Sequence, residues 1–162
     1  MQIKESIHQT LDQLSNLLHQ ISDETYNKSI DIIHQQTVGK HVRHIVEYYQ
    51  CLIYAQDCIC YDYRKRDELI ENSIPYTLHC IEEIKIEIGK LNLNTIVDIK
   101  QLINGETIFV QTTLGRELLY CIDHSIHHFA IIKIALENVY LNLELQEGFG
   151  VAYSTLQYQK EK

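Results

Sequence analysis

The chain is 162 residues long, with 45% hydrophobic and 22% charged residues, which suits one domain over residues 1–162 with a sizeable core. A net charge of -8 argues against a grip on nucleic-acid backbone, and the densest basic cluster, Arg64-Lys65-Arg66, is flanked by Asp62 and Asp67. No apolar run reaches the roughly 20 residues of a membrane span, and the opening Met1-Gln2-Ile3-Lys4-Glu5 lacks the apolar stretch of a signal peptide, so a cytoplasmic protein is expected.

With one proline and six glycines, long stretches are free of helix breakers, and an all-α fold is expected. Ile3, Ile7, Leu11, Leu14, Leu17, Leu18 and Ile21 recur at three- and four-residue steps and predict a first amphipathic helix over about 3–21, closed by Ser22-Asp23-Glu24. Residues 23–36 read as a loop with one short turn. Thr37 is the N-cap of a second helix running to about Asp57, with Val38, Val42, Ile45, Tyr49, Leu52 and Ile53 on its core face and His41, His44 and Tyr48 beside them. Tyr61 to Asp67 reads as a charged, aromatic connector. Either Arg64 or Arg66 grips an anionic substrate group, or the segment is a solvated loop of weak ion pairs, and the geometry favours the loop. Asn72 or Ser73 caps a third helix to about Lys90, with Pro75 in its first turn. The β-branched runs Thr95 to Ile99 and Thr107 to Gln111 flank Asn104-Gly105, a turn pair that predicts a small hairpin; extended loop is the alternative. A fourth helix runs from near Thr113 to about Asn138, and after Asn142 only a turn-rich tail is expected.

The chemistry lies in the histidines. His124 and His128 are four residues apart on the fourth helix, so they share a face and can converge on one metal ion. His127 falls on a neighbouring stripe, and periodicity alone leaves His124 and His127 both open. Two ligands hold a metal poorly, and His44 on the second helix is the natural third donor. A bundle around a metal held by His44, His124 and His128 is therefore expected. The five cysteines (Cys51, Cys58, Cys60, Cys80, Cys121) form no disulfide framework and read as reduced thiols. Cys58 sits about 21 Å beyond His44 along a straight helix, too far to join the centre.

With His44-Ile45-Val46-Glu47 on the second helix and His124 to Ala130 on the fourth, the chain resembles the DinB-like family, four-helix bundles related to bacterial thiol transferases. The order of elements agrees over nearly the whole chain. The resemblance implies a bundle with a long crossover between its second and third helices, a divalent metal on His44, His124 and His128, and a homodimer. For that pairing, apolar residues left over on the first or fourth helix would supply the contact. It also implies, for some members, transfer or isomerisation with a low-molecular-weight thiol.

Three neutral imidazoles leave a coordination position for water or substrate, and they suit Zn, Ni, Cu or Fe. Asp123 and Glu47 are candidates to orient a ligand histidine, or are ordinary surface carboxylates. Metal affinity is expected to fall as pH drops through about 6.5. Two functions follow: a metal-dependent thiol transferase or hydrolase acting on a small molecule, or a non-catalytic, stress-associated metal-binding dimer. An opening onto the metal would favour the first and a closed centre the second.

Overall fold

The computed structural model of the chain describes residues 2–137, 139 and 143–161. Among these, helices and one antiparallel sheet follow in the order α1 (Gln2–Leu18), α2 (Asp23–Asn27), α3 (Val38–Ile53), α4 (Glu68–Asn72), α5 (Ile74–Lys90), β1 (Ile96–Ile103), β2 (Glu106–Thr113), α6 (Leu114–Glu137) and α7 (Tyr153–Lys160). Single 3-10 turns lie at Asp31–Ile33 and Tyr61–Tyr63. The protein is mainly helical, and no helix among the described residues is long and apolar enough to cross a membrane.

The four long helices carry the four apolar stripes. α1 packs on α5 and α6, and α3 packs on the same two, so the stripes close on one core. Ile7, Leu11 and Leu14 of α1, Val42 and Ile45 of α3, Ile81 and Ile84 of α5, and Leu118 and Ile132 of α6 are completely buried. Each such side chain contributes about 1.5–3 kcal/mol relative to leaving it in water. Thr37 caps α3, its hydroxyl accepting from the Lys40 amide at 3.0 Å. Ser73, rather than Asn72, caps α5. The hairpin is longer than the expected runs, with Ile103 opposite Glu106 and Ile96 opposite Thr113. Asn104 and Gly105 both take positive φ (52° and 84°), as a two-residue turn joining right-twisted strands requires. α6 follows β2 directly and puts two of the candidate histidines in its middle. Its expected end, Asn138, and the expected break at Asn142 lie outside the described residues.

Several short elements depart from the periodicity reading. α1 stops at Leu18, and Ser22 caps α2, accepting from the Thr25 amide at 3.2 Å, instead of closing the helix before it. Residues 23–36 are ordered, because Tyr26 is fully buried and its hydroxyl donates to the Ile70 carbonyl at 2.8 Å. α3 ends at Ile53 rather than near Asp57, since the chain must turn for Ile59 to lie along β1. The Ile59 amide donates to the Asp98 carbonyl and the Lys100 amide to the Ile59 carbonyl, both at 2.8 Å. At Gly39 a side chain has no room: a Cβ there would sit 2.0 Å from the Glu71 carbonyl oxygen, so only glycine lets the start of α3 meet the end of α4. The tail contains α7, and Phe149 is buried with its ring stacked on Phe129 at 4.5 Å.

That last contact makes the tail part of the core. Phe149→Ala should lower stability by about 3–5 kcal/mol, the range for removing a buried phenylalanine side chain, as read from urea unfolding. An unchanged midpoint would mean that the tail packs on the helices without holding them.

Candidate metal centre

α3 and α6 lie against one another, and the facing sides of the two helices carry the histidines. His44 comes from α3, while His124 and His128 stand one turn apart on α6. The ligating nitrogens of these three all lie within 4.8 Å of one another. Their ring centroids are 4.6 Å (His44–His128), 4.7 Å (His124–His128) and 4.9 Å (His44–His124) apart. A tetrahedral ion with nitrogen bonds of about 2.0–2.1 Å brings its donors to about 3.4 Å, a closure that small side-chain rotations supply. His124 Nε2 is buried without a hydrogen-bond partner. An orphaned nitrogen on one of three clustered imidazoles is a group that a cation can satisfy, so the residues fit a divalent ion.

The two histidines beside the cluster differ from each other. His127 is exposed, its ring edge-on to His128 at 5.3 Å. His41 is half-buried, with Nδ1 2.9 Å from Nδ1 of His128. Two like nitrogens bond only when one carries a proton and the other a lone pair, so His41 ties the tautomer of His128 to its own. With the proton on His128 Nδ1, the Nε2 of His128 is left unprotonated, the state a ligand needs.

Burial sets the electrostatics. It pushes His44 down to about 3, helped by the charge of Arg64, then by His124, His41 and Arg43. It pushes His124 down to about 4, with His127 and Arg64 adding, and His128 to about 2, with His44 and His124 adding. His41 is lowered by burial and by His127. The cluster is thus neutral imidazole at physiological pH.

Two contributions escaped the sequence reading. The first is an aromatic wall: Tyr48 stacks on His124 at 4.1 Å and on Tyr61 at 4.6 Å, and Tyr120 lies 5.7 Å from His124. The spacings His44–Tyr48 and Tyr120–His124, each four residues on a helix, were the available signal. The second is the connector, which is not a solvated loop. Arg64 is mostly buried, 5.2 Å over the Tyr48 ring, with Nε 3.7 Å from Glu47 Oε2. Glu47, only 2% exposed, also accepts the Asp67 amide at 2.7 Å. It therefore anchors the connector, while Asp123 and Arg66 are exposed. Cys58 lines a separate cavity with Cys51 and Cys60, and all five cysteines are free thiols.

Two cavities lie near the histidine cluster. One of about 260 Å³ is lined by Tyr48, Tyr61, Tyr120, Lys100, Arg116 and Glu117. The other, about 400 Å³ and apolar, has His41 among Ile32, Ile33, Ile131 and Ile134.

No family model matches the chain. Over 53 residues, 32% of the chain, it is 49% identical to FK506-binding protein 5 of Rhizopus delemar, and the match covers 13% of that protein. So small a share of the relative's length carries neither its fold nor its activity to this chain.

The depressed pKa values have a stability consequence. An unfolded histidine takes up a proton near pH 6.5, whereas in the fold His124 does so only toward about 4 and the others lower still. In that window the unfolded chain binds more protons, so the metal-free protein should lose stability as pH falls from about 6.5 toward 4. Thermal unfolding across this range checks it, and a variant with His44, His124 and His128 replaced by Gln should show a flatter profile. Equal slopes for the two proteins would show that these histidines titrate normally.

Proposed function

We propose that the protein is a divalent-metal protein of DinB-like four-helix-bundle type, with the ion held by His44, His124 and His128. On this reading it acts as a metal-dependent transferase or hydrolase on a small molecule. One observation carries the reading: three imidazoles from two helices lie within 4.8 Å, all kept neutral by burial, with an orphaned nitrogen among them. The order of the four long helices, with a histidine on the second and a His-x-x-x-His pair on the fourth, supports the family.

When bound, the ion would supply Lewis acidity, activating a water or holding a thiolate for attack on an electrophile. The chain's own residues do the positioning. His41 sets the tautomer of His128, and Tyr48 fixes the ring plane of His124 by stacking on it. Arg64 and Arg43, whose charges act on His44, both pair with the buried carboxylate of Glu47. A low-molecular-weight thiol, held at the ion as its thiolate, would serve as the cosubstrate. Three imidazoles leave a coordination position for water or substrate, which favours the catalytic reading over the stress-associated, non-catalytic one; the cavity bounded by Tyr48, Tyr61 and Tyr120 lies on the far side of the rings beside His124.

Metal content of purified variants, by elemental analysis, tests the assignment. His44→Ala, His124→Ala and His128→Ala should each lose most bound metal while keeping helical circular dichroism. His127→Ala should keep a full complement. His41→Ala should keep the stoichiometry at saturation but bind about 10–100-fold more weakly, the usual cost of losing a residue that orients a ligand. Release on acidification should come at lower pH than the 6.5 of a free histidine, since proton competition is weakened. Metal content unaffected in all five variants would remove the centre, and with it the proposed chemistry.

A further inference from the structure

The large apolar side chains left in water gather on the hairpin. Ile96, Leu102, Ile103, Ile108, Phe109 and Val110 are all exposed there, Phe109 by 64% and Val110 by 55%. By contrast α1 exposes none of this class, and α6 exposes Leu119 and Ile134.

The two edges of the hairpin are unequal. The outer edge of β1 is covered by Ile59, which exchanges backbone bonds with Asp98 and Lys100, and by Asp62, which accepts the Leu102 amide at 3.3 Å. The outer edge of β2 has no strand beside it among the described residues. A two-residue turn makes Ile103 and Glu106 a hydrogen-bonded pair, and bonded pairs alternate along an antiparallel ladder. The backbone groups of Ile108, Val110 and Thr112 therefore face β1, and those of Thr107, Phe109 and Gln111 point outward. The outward bonds of Asp98 and Lys100, which stand opposite Gln111 and Phe109, fit this phase.

Exposed edges are ordinarily protected by lysine, proline, a bulge or shortness. β2 has eight residues, Glu-Thr-Ile-Phe-Val-Gln-Thr-Thr, in an unbroken register with no lysine and no proline, and Glu106 is its sole charge.

We propose that β2 pairs antiparallel with β2 of a second copy of this chain about a two-fold axis at Phe109, giving a four-stranded sheet. Self-complementarity selects that occupant and that register. With the axis at Phe109, each outward-pointing residue meets another: Phe109 meets the partner's Phe109, and Thr107 meets the partner's Gln111. Ile108 lies opposite the partner's Val110, an apolar pair, and Glu106 opposite the partner's Thr112, so no like charges face each other. Moving the axis by one residue would still oppose outward-pointing groups, but it would set Phe109 against the partner's Thr107 or Gln111 and lose the match of Ile108 with Val110. Moving it by two would push the pairing into the turn or into α6. The inference stands apart from the metal reading, and neither fails with the other.

The mass of the intact protein in solution, by sedimentation or light scattering at micromolar concentration, should be twice 19.0 kDa. Phe109→Lys, which sets two ammonium groups against each other at the axis, should give the mass of one chain with unchanged circular dichroism. Phe109→Cys should cross-link into a covalent dimer under mild oxidation, because opposed residues of a bonded antiparallel pair lie about 5.5 Å apart, within disulfide reach. Leu102→Cys, similarly exposed on the far strand, should not. A wild-type protein with the mass of one chain overturns the proposal and leaves the edge to a strand of another protein. A dimer that survives Phe109→Lys, or one that Leu102→Cys cross-links as readily as Phe109→Cys, overturns it too.

Discussion

Glu47 is the buried charge on which the surroundings of the histidines depend. A carboxylate almost wholly removed from water must be compensated, and it is: by the Asp67 amide, by Arg64, and by Arg43 at 4.0 Å one helical turn away. Arg43 in turn pairs with Glu71. Glu47 thus holds Arg64 and Asp67, and Arg43 holds Glu71, so two neighbouring α3 side chains draw the segment from Arg64 to Glu71 down against the helix. Buried ion pairs of this kind add little net stability relative to apolar side chains of the same volume, but losing one partner leaves the other uncompensated at about 3–5 kcal/mol. The arrangement thus fixes position more than it adds free energy. The position matters because the same connector delivers Tyr61 to the ring of Tyr48, which α3 itself stacks on His124.

What could be read from the residues follows the range of the interaction. The four long helices, the Thr37 cap and the Asn104-Gly105 turn are local, and spacing predicts them closely. So does the pairing of His124 with His128, because four residues on a helix fix direction as well as distance. Periodicity alone leaves His124 and His127 both open, the four-residue spacing favours His124, and it is His124 that the structure places within 4.8 Å of His44 and His128. The roles of Arg64, Tyr61 and His41 were not legible. Each depends on a segment returning from elsewhere in the chain, and nothing within a few residues of Arg64 signals that Glu47 waits for it. Phe149 illustrates the same limit: its neighbours read as a turn, yet its ring finds Phe129.

Charge around the centre also departs from what composition suggests. The chain as a whole carries -8, yet the side chains pressing on His44 include two guanidinium groups and three imidazoles. Acidic residues are spent on the surface pairs of Lys85 with Asp12 and Glu82, on Lys90 with Glu87, and on the connector. Bulk charge therefore describes how the protein repels other acidic molecules, while beside His44 the two guanidinium groups are balanced by Glu47 and Glu71 and the imidazoles are neutral.

The division of three histidines between two helices gives the centre a mechanical character. His124 and His128 ride on one stiff rod, so their separation is set by the rise of α6 and hardly changes as the protein breathes. His44 rides on the neighbouring rod, so its distance from the other two follows the gap between α3 and α6. An ion held there would couple the two rods: a shorter bond would draw them together and a longer one would hold them apart. The size of the ion would then be transcribed into the spacing of two helices that also carry walls of the two nearby cavities.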